Sequence, residues 1–147
     1  MPTSCYARSR CTRQTDPMLQ DGSLETATYY LSYEQGVILD IRTKEEHERD
    51  GHICGANLIP TPLPPLTQQD KQRLYYDLAK HCNGMPESTP IILYCKKGIR
   101  ANIAKDILLQ AGFPKVMVLG GTDLPPVSDI ISGKVSTTCL HRGDGNH

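Results

Sequence analysis

Short β-branched runs alternate with amphipathic stretches along most of this chain, and the alternation predicts an α/β fold built on a parallel sheet. Two patterns carry the prediction. Val37–Ile41, Ala56–Ile59, Pro90–Tyr94 and Val116–Leu119 are apolar runs of strand length, typical of buried strands. Between them lie segments whose apolar residues recur at helical spacing and stop at glycine. The length, 147 residues, favours one domain with a core that needs no covalent staple.

The elements follow in order. Residues 1–16 are polar and patternless and read as a tail; the domain is expected over 17–131, with a second tail over 132–147. The triplet Arg142-Gly143-Asp144 reads as part of that solvated tail rather than as an adhesion signal. Ser23 caps a helix with Leu24, Ala27, Thr28 and Leu31 on one face, and Gly36 ends it. The first strand follows, and then Thr43 caps a brief charged helix, Lys44 to Asp50, closed by Gly51. After the second strand, Thr61-Pro62-Leu63-Pro64-Pro65 must be loop, because proline removes backbone donors. Thr67 opens a longer helix that places Leu74, Tyr75, Leu78, Ala79 and Cys82 on one side and stops at Asn83-Gly84. The strongest strand, Pro90–Tyr94, leads into a helix from about Ile99 to Ala111, expected to bury Ile99, Ile103, Ile107 and Leu108. Gly112 and Pro114 stop it. After the fourth strand, a last helix is expected from Pro125 to Ile131, with proline in its first turn.

Composition excludes several functions. Lys+Arg and Asp+Glu are both 16, so the chain lacks the basic excess of a general nucleic-acid binder. One Phe and no Trp leave little for a base-stacking platform. No apolar run reaches membrane-spanning length. The cysteines, at 5, 11, 54, 82, 95 and 139, are scattered and form no C-x-x-C, which argues against a disulfide scaffold and against a metal site. Free thiols in a reducing, cytoplasmic setting are the expectation. The acid-free N-terminal segment with Arg8, Arg10 and Arg13 leaves organelle targeting open. Cys54 and Cys82 read as packing residues, and Cys5, Cys11 and Cys139 as incidental thiols near the tails.

Cys95 is different. It stands between a strand end and a helix start, where ligands of parallel sheets bind. Unpaired N–H groups and the helix dipole there favour negative charge on sulfur. Lys96, Lys97 and Arg100 add positive charge, and Gly98 lets the loop curl so that its amides converge on one point. Alone, a cysteine at a strand end is more often a small core residue, and two lysines are more often a solvated turn. The conjunction favours a nucleophile.

Three blocks bring a resemblance into view: Val37-Ile38-Leu39-Asp40-Ile41-Arg42 with Glu45-Glu46-His47; Gly51-His52-Ile53-Cys54-Gly55-Ala56-Asn57-Leu58-Ile59-Pro60; and Ile91 to Arg100 with Ala111-Gly112-Phe113, Val116 and Leu119-Gly120-Gly121. In order and spacing they resemble the rhodanese family, over about Ser23 to Ile131. The resemblance implies a rhodanese-like α/β fold, a central parallel sheet of about five strands with helices on both faces. It implies Cys95 as the catalytic, sulfur-accepting nucleophile, with Lys96, Lys97, Gly98, Ile99 and Arg100 forming the substrate-binding cradle. Asp40 and Arg42 would lie near the pocket rim in a mainly structural role, Arg42 paired with Glu46, and His52 would be structural. The lysine pair resembles the loop of thiosulfate-using members. Many members carry a Trp shortly after the Gly-Gly corner. Here Thr122-Asp123-Leu124-Pro125-Pro126 stands instead, so the rim and last helix are expected to differ.

The function implied is sulfane-sulfur transfer from a thiosulfate-like donor to cyanide, a small thiol or a protein thiol such as a thioredoxin-like partner. No cofactor or metal, no nucleic acid and no membrane enter it. Two alternatives stand beside it. A phosphatase or arsenate reductase on the same fold resembles this pattern but uses a loop one residue longer than the six from Cys95 to Arg100. A non-catalytic interaction module typically lacks the cysteine.

Overall fold

The computed structural model describes residues 20–133. The expected tails, with Cys5, Cys11, Cys139 and Arg142-Gly143-Asp144, lie outside the described residues, apart from Ser132 and Gly133. The elements run α1 (Leu24–Tyr33), β1 (Val37–Asp40), α2 (Lys44–Arg49), β2 (Asn57–Leu58), α3 (Gln68–His81), β3 (Ile91–Cys95), α4 (Ile99–Gln110), β4 (Val116–Gly121) and α5 (Val127–Ile131). Among the described residues the sheet has four strands, all parallel, in the order β2-β1-β3-β4. The chain therefore leaves β1 toward one edge and β3 toward the other, and the order reverses between these two central strands. Their carboxyl ends open the crevice in which parallel sheets bind ligands.

Local chemistry explains the helix starts. Ser23 accepts the amide of Thr26 at 3.1 Å. Thr43 and Thr67 each form a reciprocal capping box, with Glu46 and Asp70. The last helix starts two residues later than expected, with Pro126 as its N-cap.

The sheet alternates between two cores. Leu39, Ile91, Leu93 and Cys95 face one cluster with Leu74, Leu78, Ala101, Ala104 and Leu108 from α3 and α4. Ile38, Ile92 and Tyr94 face the other with Ala27, Tyr30 and Leu31 from α1 and Val127 from α5. Two helix faces differ from expectation. On α4 the buried residues are Arg100, Ala101, Ala104 and Leu108; Ile99 is 52% exposed, and Ile103 and Ile107 only pack at the margin. Alanine brings α4 close to the sheet, and Arg100 must turn inward to reach its partner. On α3, Leu74 and Leu78 are buried but Tyr75 is 53% exposed and Ala79 is also exposed.

Candidate active site

Cys95 is the last residue of β3 and sits on the central strand at the crevice. Gly98 follows with φ +95°, a left-handed conformation that glycine adopts without strain, and becomes the N-cap of α4. This curl turns two backbone amides onto the sulfur. Gly98 N–H donates to Cys95 Sγ at 3.0 Å and Ala101 N–H at 3.4 Å. The cysteine itself is only 1% exposed. A cleft of about 230 Å³ opens above it, walled by Leu63 and Pro64 on one side and by Lys96, Lys97, Ile99 and Arg100 on the other.

The loop is braced from two directions. From β4, Thr122 N–H donates to Cys95 O at 2.9 Å and Asp123 N–H to Lys96 O at 3.2 Å. Gly121 makes that approach possible, because a Cβ there would run into the Lys96 carbonyl. The pairing of β3 with β4 shifts by one residue between Leu93 and Tyr94, which sets Gly120 and Gly121 beside the strand end. From beneath, Arg100 is 2% exposed and grips Glu46 with both terminal nitrogens, at 2.8 and 3.1 Å, while also donating to Thr61 O at 3.3 Å. Burial pushes the Glu46 carboxyl up, but hydrogen bonds from Arg100 and Thr43 outweigh it and hold the group at about 2. Arg100 therefore locks α2 to the start of α4.

Neighbouring charges are organised separately. Arg42 donates to both oxygens of Asp40, at 2.8 and 2.6 Å, and to Gly51 O at 2.7 Å. Tyr94 O–H donates to Asp40 at 3.2 Å and accepts from Ile53 N–H at 3.0 Å. Burial and the adjacent Asp40 charge push this phenol well above its ordinary range. His47 Nδ1 lies 2.8 Å from Asp40 Oδ2, and its ring stacks on His52 at 3.6 Å between centroids. This network ties β1, α2, β3 and the Gly51-His52-Ile53 turn together. At the surface, Lys96 and Lys97 each place Nζ 3.4 Å from a different oxygen of Asp123.

A family model described as the rhodanese-like domain matches residues 26–123. The chain belongs to the rhodanese-like domain family. It is also similar to a protein named tRNA uridine(34) hydroxylase from Chlamydia pneumoniae, 33% identical over 99 residues, which cover 67% of this chain and 28% of that protein. Rhodanese-like domain-containing protein 17 of Arabidopsis thaliana is 33% identical over 84 residues, 56% of this chain and 53% of the relative. The chain thus matches about a quarter of one relative and about half of the other.

Within this rhodanese-like domain, Cys95, Lys96, Lys97, Gly98, Ile99 and Arg100 come together as one loop. Asp40 and Arg42 do not form a rim: they are 0% and 1% exposed and belong to the scaffold. Arg42 pairs with Asp40 rather than Glu46, because Glu46 is taken by Arg100. Cys82 is a buried free thiol, as is Cys95. Cys54 is disulfide-bonded, which corrects its reading as a free packing thiol. Sequence reasoning missed the Arg100–Glu46 and Asp123–lysine pairings, whose members lie far apart in the chain. Among the described residues no group of three or more His, Cys, Asp or Glu is placed to hold a metal ion. No described helix is long and apolar enough to cross a membrane.

Proposed function

We propose that this rhodanese-like domain transfers sulfane sulfur through a persulfide on Cys95. The observation that carries the reading is the pair of backbone N–H groups, from Gly98 and Ala101, aimed at Cys95 Sγ at the floor of an open cleft. Such donors are fixed before any reaction and stabilise negative charge without reorganising.

Thiosulfate is the proposed donor class. Cys95 thiolate attacks the outer sulfur of thiosulfate, a new S–S bond forms, and the old one breaks with its electron pair leaving on sulfite. Cyanide or a thiolate, free or on a protein, then attacks the outer persulfide sulfur and Cys95 thiolate is restored. The reaction is a two-step displacement through a covalent intermediate. It draws on no metal or organic cofactor. Lys96 and Lys97, on the cleft wall, supply positive charge for an anionic donor.

The test sets sulfur transfer against phosphoryl transfer. We expect thiocyanate from thiosulfate and cyanide, and negligible hydrolysis of small aryl phosphates, because the six residues from Cys95 to Arg100 leave too tight a cradle for a phosphoryl group. Aryl phosphate turnover comparable with sulfur transfer would replace this reading with the phosphatase one.

A further inference from the structure

The cations of the Cys95 loop all face carboxylates. Arg100 is chelated by buried Glu46 at 2.8 Å. Lys96 and Lys97 share Asp123, each at 3.4 Å. Three cations against two carboxylates leave a single net positive charge around a nucleophile whose sequence advertises three. The rest of the cleft does not restore it. Leu63 and Ile99, 61% and 52% exposed, present apolar surface at the opening.

Asp123 holds its position through the backbone. Its N–H donates to Lys96 O, and the preceding Thr122 N–H donates to Cys95 O. Its short side chain leaves the carboxylate little freedom, so the two long lysine side chains adapt to it. Desolvation is the largest single influence on the Asp123 carboxyl and raises it, but the hydrogen bonds and charges of Lys97 and Lys96 together outweigh it and hold the group below its ordinary value. We infer that Asp123 is a specificity-determining residue: by holding both loop ammonium groups it lowers the positive potential at the mouth of the Cys95 cleft and tempers, without reversing, the advantage of dianionic donors such as thiosulfate over singly charged ones. The inference deepens the sulfur-transfer reading and rests on it for the identity of the donors.

The experiment uses the full chain and Asp123→Asn, which keeps the shape and removes the charge. Efficiencies are measured for thiosulfate, a dianion, and mercaptopyruvate, a monoanion at its carboxylate, at low and high salt. A charge at the rim acts through partly screened solvent. The expected result is a gain of about fivefold for thiosulfate at low salt, about twofold or less for mercaptopyruvate, and loss of both gains at high salt. Alkylation of Cys95 by anionic iodoacetate against neutral iodoacetamide reads the same potential without sulfur chemistry, and their rate ratio should rise by a similar factor in the variant. Unchanged ratios overturn the inference, as does an equal fall with both donors, which would make Asp123 a mere brace of the loop. Failure of both reagents to reach Cys95 also overturns it. A raised alkylation ratio in a protein that transfers no sulfur would sustain the role of Asp123 at the mouth and sink the sulfur-transfer reading alone.

Discussion

Cys82 and Cys95 are both free, both buried and both part of the apolar cluster between the sheet and α3 and α4, yet they meet opposite ends of helices. Cys82 is the C-cap of α3, where carbonyls gather and the dipole disfavours negative charge. Burial pushes its thiol up. Cys95 precedes the N-terminus of α4 and receives two N–H donors. The same residue type in the same core thus becomes inert filling in one place and a candidate nucleophile in the other. Burial alone does not separate the two; the direction of the nearest peptide dipoles does.

The comparison breaks most sharply by substitution. Cys95→Ser should lower sulfur transfer to cyanide by at least about a thousandfold, worth about 4 kcal/mol of barrier, since a serine hydroxyl is hardly ionised near neutral pH. Cys82→Ala should leave the rate within about twofold while the cavity it creates lowers stability by about 1 kcal/mol. Thiocyanate yield and thermal unfolding of both variants measure this. Equal losses of rate in the two would erase the distinction.

The next effect concerns what holds the Cys95 loop in place. Glu46→Gln leaves the Arg100 charge buried and unbalanced and should cost about 3–5 kcal/mol of stability. It also has a pH signature. The Glu46 carboxyl sits at about 2 in the folded protein against an ordinary 4.5, so its contribution is complete above about 4.5 and is lost as pH falls through 2. Unfolding free energies of wild type and variant, measured by urea titration from pH 6 to 2, should converge over that window. A constant gap would assign the loss to packing rather than to the ion pair.

A smaller effect sharpens the role of the curl. Gly98 holds φ +95° with no atom closer than 3.8 Å to the place of a Cβ, so space is not the constraint. Gly98→Ala should cost about 1–2 kcal/mol from the backbone alone. As the loop relaxes, its N–H swings off Sγ and transfer should fall by about tenfold. Rates and unfolding curves of the purified variant decide it, and an unaltered rate would mean that this amide is dispensable.

Local signals made much of this legible. Ser23, Thr43 and Thr67 announced their helices because capping is settled within four residues. Cys95 could be singled out because a strand, a glycine and a helix start are contiguous in sequence. Pairings set by tertiary distance were not legible. Glu46 and Arg100 are 54 positions apart, and the family resemblance implies Arg42 as the partner of Glu46, whereas Arg42 binds Asp40. The isoleucines at 99, 103 and 107 form a true helical stripe, but alanine and Arg100 occupy the contact face because α4 lies close to the sheet. The lysine pair looked like free positive charge because Asp123 arrives from the far end of β4.

The central claim is that Cys95, and not Cys82, carries sulfur. The direct measurement is to mix the purified chain with thiosulfate, remove excess donor, and record intact mass and peptide masses without reductant. The account predicts the mass of one added sulfur atom, located on the peptide containing Cys95 and released when cyanide is added. Sulfur found on Cys82 instead, or no adduct on Cys95 under conditions where a thiosulfate-using enzyme is loaded, would contradict it.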